Sequence, residues 1–433
     1  MLRLLNKHLG SLGRGVLTAL CINAVGVLII FAQHITLARS MGPPDLGAYS
    51  IVLSWLGISV IVAGCGLDSV FVRYSAPYAA KKEWSTLRAL LRWGLHLSLR
   101  VALGLSLFII VLAVLLDGLI PSTLQRAFFA AAFFLPIWVL VLLRQALLRS
   151  LKQITLSRFP DIILRPVLFL GLLFVTAQQC GGGLSAATGM WLHALSAGAA
   201  LVVGWLLSRG SLPRCACVTY SPEQRAEWRA SAFPLLVVSL LTVLLSEIDK
   251  VGLGIVSTLG DVGVYSVAAR LGVFTAFGVD AISSIALPLL SEFAAARPKA
   301  ELQNLVRKIT LGMFSSSALL AAMLVAFGGE VISFFGSAYA DAYQPLVILC
   351  IGQAISAAFG PAGFLLVAAG RNRELIGALI ISLVVAIVAI LLAGFYFGAI
   401  GAAAVSAGAL VLRGALYARS CRISLGIRTG VFG

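Results

Sequence analysis

Charge is scarce in this chain. Only 11% of its 433 residues are Asp, Glu, Lys or Arg, where a soluble protein carries about a quarter. That is too little polar surface to cover a water-soluble globule. Cysteine supplies no framework. The seven cysteines lie mostly in or beside apolar runs, and the close pair Cys215 and Cys217 has no His or second pair nearby to complete a zinc site. The short polar–apolar alternation of a membrane β-barrel is missing as well. No small-residue cleavage site follows the first apolar run, which therefore reads as a span and not as a signal peptide.

What the chain does have is length of apolar sequence. Hydrophobic residues make up 60% of it, and the mean hydropathy is +1.04. About 20 apolar residues cross a bilayer as a helix. Twelve such spans fit, at approximately 16–38, 46–67, 94–116, 126–148, 159–177, 184–207, 232–256, 262–290, 307–327, 343–369, 374–397 and 399–418. The expected fold is an all-α polytopic membrane protein. Nearly every basic residue of the connections, from Arg3 to Arg428, falls on one side of this arrangement, and only Arg39 and Arg126 fall on the other. Lys and Arg are retained in the cytoplasm, so both termini are expected inside. Arg144 and Arg413 lie within snorkelling reach of that side. The net charge of +16 is thus a topology signal spread over short loops, and no nucleic-acid partner is implied. The stretches Trp84–Trp93 and Ser221–Ala232 mix Trp, Arg and apolar residues at helical spacing, as helices lying in the inner headgroup layer do.

One phrase is written twice. "DLGAYS" at Asp45–Ser50 and "DVGVYS" at Asp261–Ser266 stand 216 positions apart, half the chain. Each opens a span, and each such span ends in a basic segment. The Asp is expected to cap the new helix, the Gly to permit close approach to the preceding span, and the Tyr to sit at the outer interface. Six helices per copy is an even number, so the copies share one orientation, as two six-helix lobes related by a pseudo-twofold axis along the membrane normal. The boundaries expected are 1–208 for the N-lobe, 209–231 for a cytoplasmic linker with an interfacial helix, and 232–433 for the C-lobe. Two such bundles would enclose a cavity and rock to open it alternately.

The stretches "ARSMGPPDLGAYS", "GCGLDSVFVRYSAPYAA", "LLRQALLRSLKQ", "SEIDKVGLGIVSTLGDVGVYSVAARL" and "ALPLLSEFAA" resemble polysaccharide or O-antigen flippases of the multidrug/oligosaccharidyl-lipid/polysaccharide exporter superfamily. The resemblance implies translocation of an undecaprenyl-pyrophosphate-linked oligosaccharide from the cytoplasmic to the periplasmic leaflet of a bacterial inner membrane. It implies a monomer whose partners are that substrate, membrane lipids, and the polymerase and other assembly proteins of a surface polysaccharide. No cofactor, metal or catalytic residue is expected. Arg73, in "FVRYSA", matches a position where such flippases often carry Arg at the inner end of helix two, where it meets substrate or lipid phosphate.

Ionisable residues inside spans are costly and default to pathway candidates. Helix seven carries Glu247, Asp249 and Lys250, and helix eight carries Arg270 and Asp280. Asp249 and Arg270 lie at equal depth, roughly 15 Å from the turn between them at about 1.5 Å per residue, so they are expected to interact directly or through substrate. Lys250 is closer to the outer boundary and is expected to snorkel. Arg100 and Arg165 lie roughly 9 Å inside the cytoplasmic boundary. With Arg270 they form candidate cationic steps for a pyrophosphate, which Arg binds in bidentate fashion. The bland alternative for the two shallow ones is snorkelling. Asp249, Asp280 and His193 are the candidates for ion coupling, a lone intramembrane His being more often a packing residue.

Two other functions make different demands on these residues. A cation-coupled drug antiporter of the same superfamily would carry a carboxylate on helix one, where this chain has Asn23, Gln33 and His34. A membrane polymerase or ligase acting on lipid-linked sugars would need an acid–base pair or a metal site near a sizeable outer loop. The longest outer loop, Gly328–Ala342, offers only Glu330 and Asp341.

Overall fold

A computed structural model describes residues 12–151, 153–179, 183–210, 221–283, 286, 290 and 299–431. The basic segment of Arg3 and Lys7, Lys152, Arg214, the pair Cys215 and Cys217, and Arg297 lie outside the described residues. Among the described residues every regular element is a helix. That is the answer a bilayer demands, because lipid cannot satisfy backbone N–H and C=O groups and a helix satisfies them within its own segment.

The chain divides into two compact units. The first holds Met1–Met41 and Trp55–Leu240, the second Gly42–Ser54 and Leu241–Gly433. In the first unit run α1 (Leu12–Gly64), α2 (Leu67–Ala80), α3 (Trp84–Leu115) and α4 (Ser122–Ser150). They are followed by α5 (Ile154–Phe159), a π turn at Pro160–Leu164, α6 (Arg165–Gln179), α7 (Ala186–Ser208) and the start of α8 (Pro222–Val256). The central helix is α4, which packs against α2, α3 and α7. Its buried face is rich in alanine, the small side chain that lets helices approach in a membrane without a hydrophobic drive. The two Trp-bearing stretches are not separate interfacial helices. They are the first turns of α3 and α8, and they pack together: Trp93 and the buried Trp228 stack with ring centres 5.7 Å apart. The Trp228 indole donates to the Tyr78 hydroxyl at 3.2 Å. Tyr74 donates to Glu227 at 3.0 Å and lies 2.9 Å from the Ser231 hydroxyl.

The second unit contains residues 42–54 of α1, the remainder of α8, α9 (Leu259–Gly272) with a short 3-10 turn and helical continuation to Ser283, and α10 (Lys299–Ser333). Then come a 3-10 turn at Ser337–Ala342, α11 (Tyr343–Ala357), α12 (Ala362–Ala368) and α13 (Asn372–Ser424). The stretch from Gly328 that reads as an outer loop is therefore largely helical. Two of the long helices break at one glycine each, α1 at Gly42 (φ 71°) and α13 at Gly398 (φ 53°), a backbone region that costs glycine little. Past Gly398 the chain doubles back, since a Cβ on Gly401 would stand 2.0 Å from the Ala393 carbonyl oxygen. Nine described helices are long and apolar enough to cross a membrane, and α11 with α12 forms a bent pair of the same kind. With α1 and α13 each supplying two spans, the protein is an all-α membrane protein of twelve spans in two six-helix lobes.

The repeated phrase has a different physical use from the one its sequence suggests. Gly47 and Gly263 do not merely ease packing on a preceding span: the two copies of the phrase meet each other. A Cβ on Gly47 would lie 1.8 Å from the Leu259 oxygen and 3.0 Å from the Gly263 nitrogen, and one on Gly263 would lie 2.0 Å from the Pro43 oxygen. Capping in the second copy belongs to Thr258, whose hydroxyl accepts from the Asp261 N–H at 3.1 Å, while the Asp261 carboxylate turns back to the Thr258 N–H. That is a reciprocal capping box. Nor do the tyrosines sit at the interface. Tyr49 is 3% exposed and Tyr265 0%, because each has polar business inside the unit.

Backbone atoms on the far side of the crossing cannot yield as a side-chain tip can. Gly47→Ala and Gly263→Ala should each lower stability by about 1–3 kcal/mol, against the gain of up to about 1 kcal/mol that Ala offers in a helix. Gly57, where an added Cβ meets nothing within 4 Å, is the control, and Gly57→Ala should be neutral or stabilising. Thermal unfolding of the detergent-purified variants reads the difference.

Candidate functional sites: charges within the spans

Helix α8 distributes its three charges over two faces. Residues two apart on a helix point about 200° away from each other, and residues three apart share a face. Asp249 accordingly turns away from Glu247 and is buried. It accepts from the Tyr265 hydroxyl at 2.5 Å and the Ser406 hydroxyl at 3.0 Å, and those two hydroxyls are themselves 2.9 Å apart. A carboxylate held by two hydroxyls can exchange a proton or take a small cation without leaving its place. Glu247 occupies the other face. It accepts from Ser54 of α1 at 2.6 Å and is bridged to Lys250. Lys250 therefore pairs within its own helix and does not snorkel. Arg270, half-buried on α9, has Tyr49 and Glu247 as its ionisable neighbours. The acidic neighbour of Arg270 is thus Glu247 and not Asp249, for matching depth says nothing of rotation about the helix axis.

Tyr265, Ser406, Ser54 and Tyr49 complete this cluster, and sequence reasoning passed over all four as site residues. A signal was available for one pair: Tyr49 and Tyr265 occupy the same place in the repeated phrase.

In the first unit the charges form separate groups. Arg144 of α4 is buried and donates to Asp161 at 2.5 Å and to the Leu156 carbonyl at 3.3 Å. It does not snorkel outward, because Asp161, at the π turn, offers it a partner within the unit. Asp161 was not singled out in the sequence, since it sits beside Pro160 at a span boundary. Gly204 of α7 makes room for the guanidinium, its would-be Cβ lying 2.4 Å from an Arg144 nitrogen. His193 of α7 is buried among rings, 5.0 Å from Phe134, 5.3 Å from Phe169 and 6.3 Å from Trp138, surroundings that suit packing. Arg165 is half-buried at the start of α6. Arg73 is exposed on α2 with its guanidinium over the Tyr74 ring at 5.7 Å. Asp280 is exposed. Arg100 opens with Arg92, His96 and Arg225 onto a cavity of about 350 Å³. The described residues thus bring Glu247, Lys250 and Arg270 together, set Asp249 beside them on the opposite face of α8, and place Arg100 in company that the sequence did not suggest. They contain no group of three or more His, Cys, Asp or Glu side chains able to hold a metal.

A family profile described as "Polysaccharide biosynthesis protein" matches residues 12–294, well over half the chain. The chain belongs to that family. No curated protein matches its sequence. Among solved structures it is similar to an inward-facing multidrug resistance transporter of the MATE family in the MOP superfamily, with TM-score 0.78 at 14% identity over 93% of this chain and 94% of that one. It is similar too to the lipid II flippase MurJ in an inward closed conformation, with TM-score 0.66 at 13% identity over 94% and 87%. An outward-facing MATE transporter aligns with TM-score 0.62 at 14% identity over 94% and 95%. At these identities the likeness is one of fold: this member of the polysaccharide biosynthesis family is built as the transporters of that superfamily are.

Three variants test the buried groups. Asp161→Asn leaves Arg144 charged and without its counter-ion, which should cost about 3–5 kcal/mol, whereas Arg144→Met with Asp161→Leu should recover most of that loss. Tyr265→Phe removes one of the two hydroxyls on Asp249 and should cost about 1–3 kcal/mol. Thermal unfolding reads all three.

Proposed function

We propose that this protein flips an undecaprenyl-pyrophosphate-linked oligosaccharide, a repeat unit of O-antigen or another surface polysaccharide, from the cytoplasmic to the periplasmic leaflet by alternating access. The observation that carries the reading is a conjunction: a polysaccharide-biosynthesis family chain has the fold of membrane transporters. A lipid-linked sugar is the intermediate of polysaccharide assembly that has to cross a membrane intact. No covalent step is involved, so the protein is not an enzyme. It resides in the bacterial inner membrane with both termini cytoplasmic, where the excess of Lys and Arg on one side of the spans supports that orientation.

The moving parts are the six-helix segments 1–208 and 232–433, joined by the basic link 209–231. Arg270 receives the pyrophosphate, since a guanidinium matches phosphate oxygens in pairs, and Glu247 with Lys250 keeps it oriented when substrate is absent. Arg100, Arg165 and Arg73 are cationic stations toward the cytoplasmic side. Asp249, cradled by Tyr265 and Ser406, is the group best placed to carry a coupling proton or cation, with His193 and Asp280 as lesser candidates. The protein acts as a monomer alongside the polymerase and other assembly proteins that consume its product. The multidrug antiporter has one observation in its favour, the TM-score of 0.78 to such a transporter.

Deleting the gene separates the two. The flippase reading expects a lipid-linked oligosaccharide to accumulate in the inner leaflet while the surface polymer disappears. Intact polymer with new sensitivity to cationic drugs would establish the antiporter instead. In the complemented strain Arg270→Gln should lower polymer export about tenfold or more, the worth of one charged hydrogen bond to substrate, with the protein still present at its normal level on an immunoblot.

A further inference from the structure

The cavity on α3 has a composition that a channel of bulk solvent would not need. Arg92, His96 and Arg100 line it from successive turns, and Arg225 reaches it from the first turns of α8, over a floor of Ala89, Trp93 and Leu97. Four nitrogen-bearing heads converge there with no carboxylate in the lining. Among the described residues none of these four side chains has an ion-pair or hydrogen-bond partner. The placement is built into the unit. Trp93 stacks on Trp228, which is anchored to Tyr78, and that fixes the helical turn from which Arg225 projects three residues earlier.

A second observation concerns what lies beyond the cavity on the same helix. At 100° per residue, Arg92, His96 and Arg100 span about 80° of the α3 surface, and Leu103, Leu107, Val111 and Val114 fall within or just beyond that sector. These four are exposed by 46–63%. One face of α3 therefore presents a cationic stretch about 12 Å long at its basic end and continues as an exposed apolar ridge toward the other. That is the profile of a lipid: phosphate at the head, acyl chain below. Basic pockets among spans at the cytoplasmic side are suited to such head groups.

We propose that Arg92, His96, Arg100 and Arg225 form a binding pocket for the phosphate head group of an anionic lipid, whose acyl chain lies along Leu103, Leu107 and Val111. The phosphate is the shared chemistry, and the lipid is either a bilayer phospholipid or a polyprenyl pyrophosphate. The pocket is assembled wholly within the first unit; its phospholipid arm is independent of the transported substrate, and its polyprenyl arm rests on the proposed function, in which Arg100 is a station for the same pyrophosphate.

The test uses the full-length chain reconstituted in phosphatidylcholine nanodiscs, doped in one arm with phosphatidylglycerol and in the other with undecaprenyl pyrophosphate. Native mass spectrometry counts the lipid retained as detergent strips the disc. The wild type should hold one dopant molecule in at least one arm. Arg92→Gln/Arg100→Gln/Arg225→Gln should weaken its retention roughly a hundredfold, at about one kcal/mol per basic residue near a membrane surface. Arg371→Gln, on the exposed start of α13, should leave retention unchanged. The arm that responds identifies the lipid. Inorganic pyrophosphate added to the wild type should displace the bound dopant, a readout that needs no variant to fold. Retention no better than for phosphatidylcholine in both arms, equal retention by the triple variant, an equal loss in Arg371→Gln, or no displacement by pyrophosphate would each overturn the proposal.

Discussion

Inside a bilayer a carboxylate has no water from which to accept, so among the described residues each buried charge is held by groups the chain itself supplies. Asp249 rests on two hydroxyls, one from α9 and one from α13. Glu247 rests on Ser54 and Lys250, and Arg144 on Asp161 and a carbonyl. Two of the three also draw on helices distant in sequence, through Ser406 for Asp249 and Ser54 for Glu247. Because leaving a partner behind costs several kcal/mol, the clusters fix which helices meet and at what rotation. Apolar faces alone would not, since lipid tails solvate them as well as another helix does.

Small residues make that arrangement possible. A guanidinium fits against α7 because position 204 has no side chain, and the crossing at Gly47 and Gly263 brings Ser54 and Tyr49 into the second unit beside Glu247 and Arg270. Close approach and charge satisfaction are one requirement here. The polar groups have short reach, so the backbones that carry them have to come near.

Much of the fold could be read from the chain because its signals are one-dimensional. Apolar length gives a span, and the excess of Lys and Arg on alternate connections gives a side. The helices broken at Gly42 and Gly398 each read as two spans, although each runs on as one element. What could not be read was rotation. Asp249 and Arg270 match in depth, yet α8 aims Asp249 at Tyr265 and Ser406. Lys250 and Arg144 have outward routes by length alone, and each finds an acid within its unit. The Trp-rich starts of α3 and α8 carry the marks of surface helices because an amphipathic stripe looks the same whether it faces headgroups or another helix. In each case the deciding atom lies on another span, on the next element or one turn along the same helix, and reaching it depends on rotation about a helix axis.

The glycine crossing bears on how the two halves of the chain can diverge. The residue two positions ahead of each copy of the phrase supplies the wall that forbids a side chain in the other, Leu259 facing Gly47 and Pro43 facing Gly263. Neither position can drift alone, and no partner substitution relieves the clash, since the obstructing atoms are main chain. Elsewhere the halves are free to lose their likeness, as the pairing of Gln33 with Asp249 at the same 216-residue offset illustrates. The repeated six letters mark the place where the two halves are held to one pattern by each other's main chain.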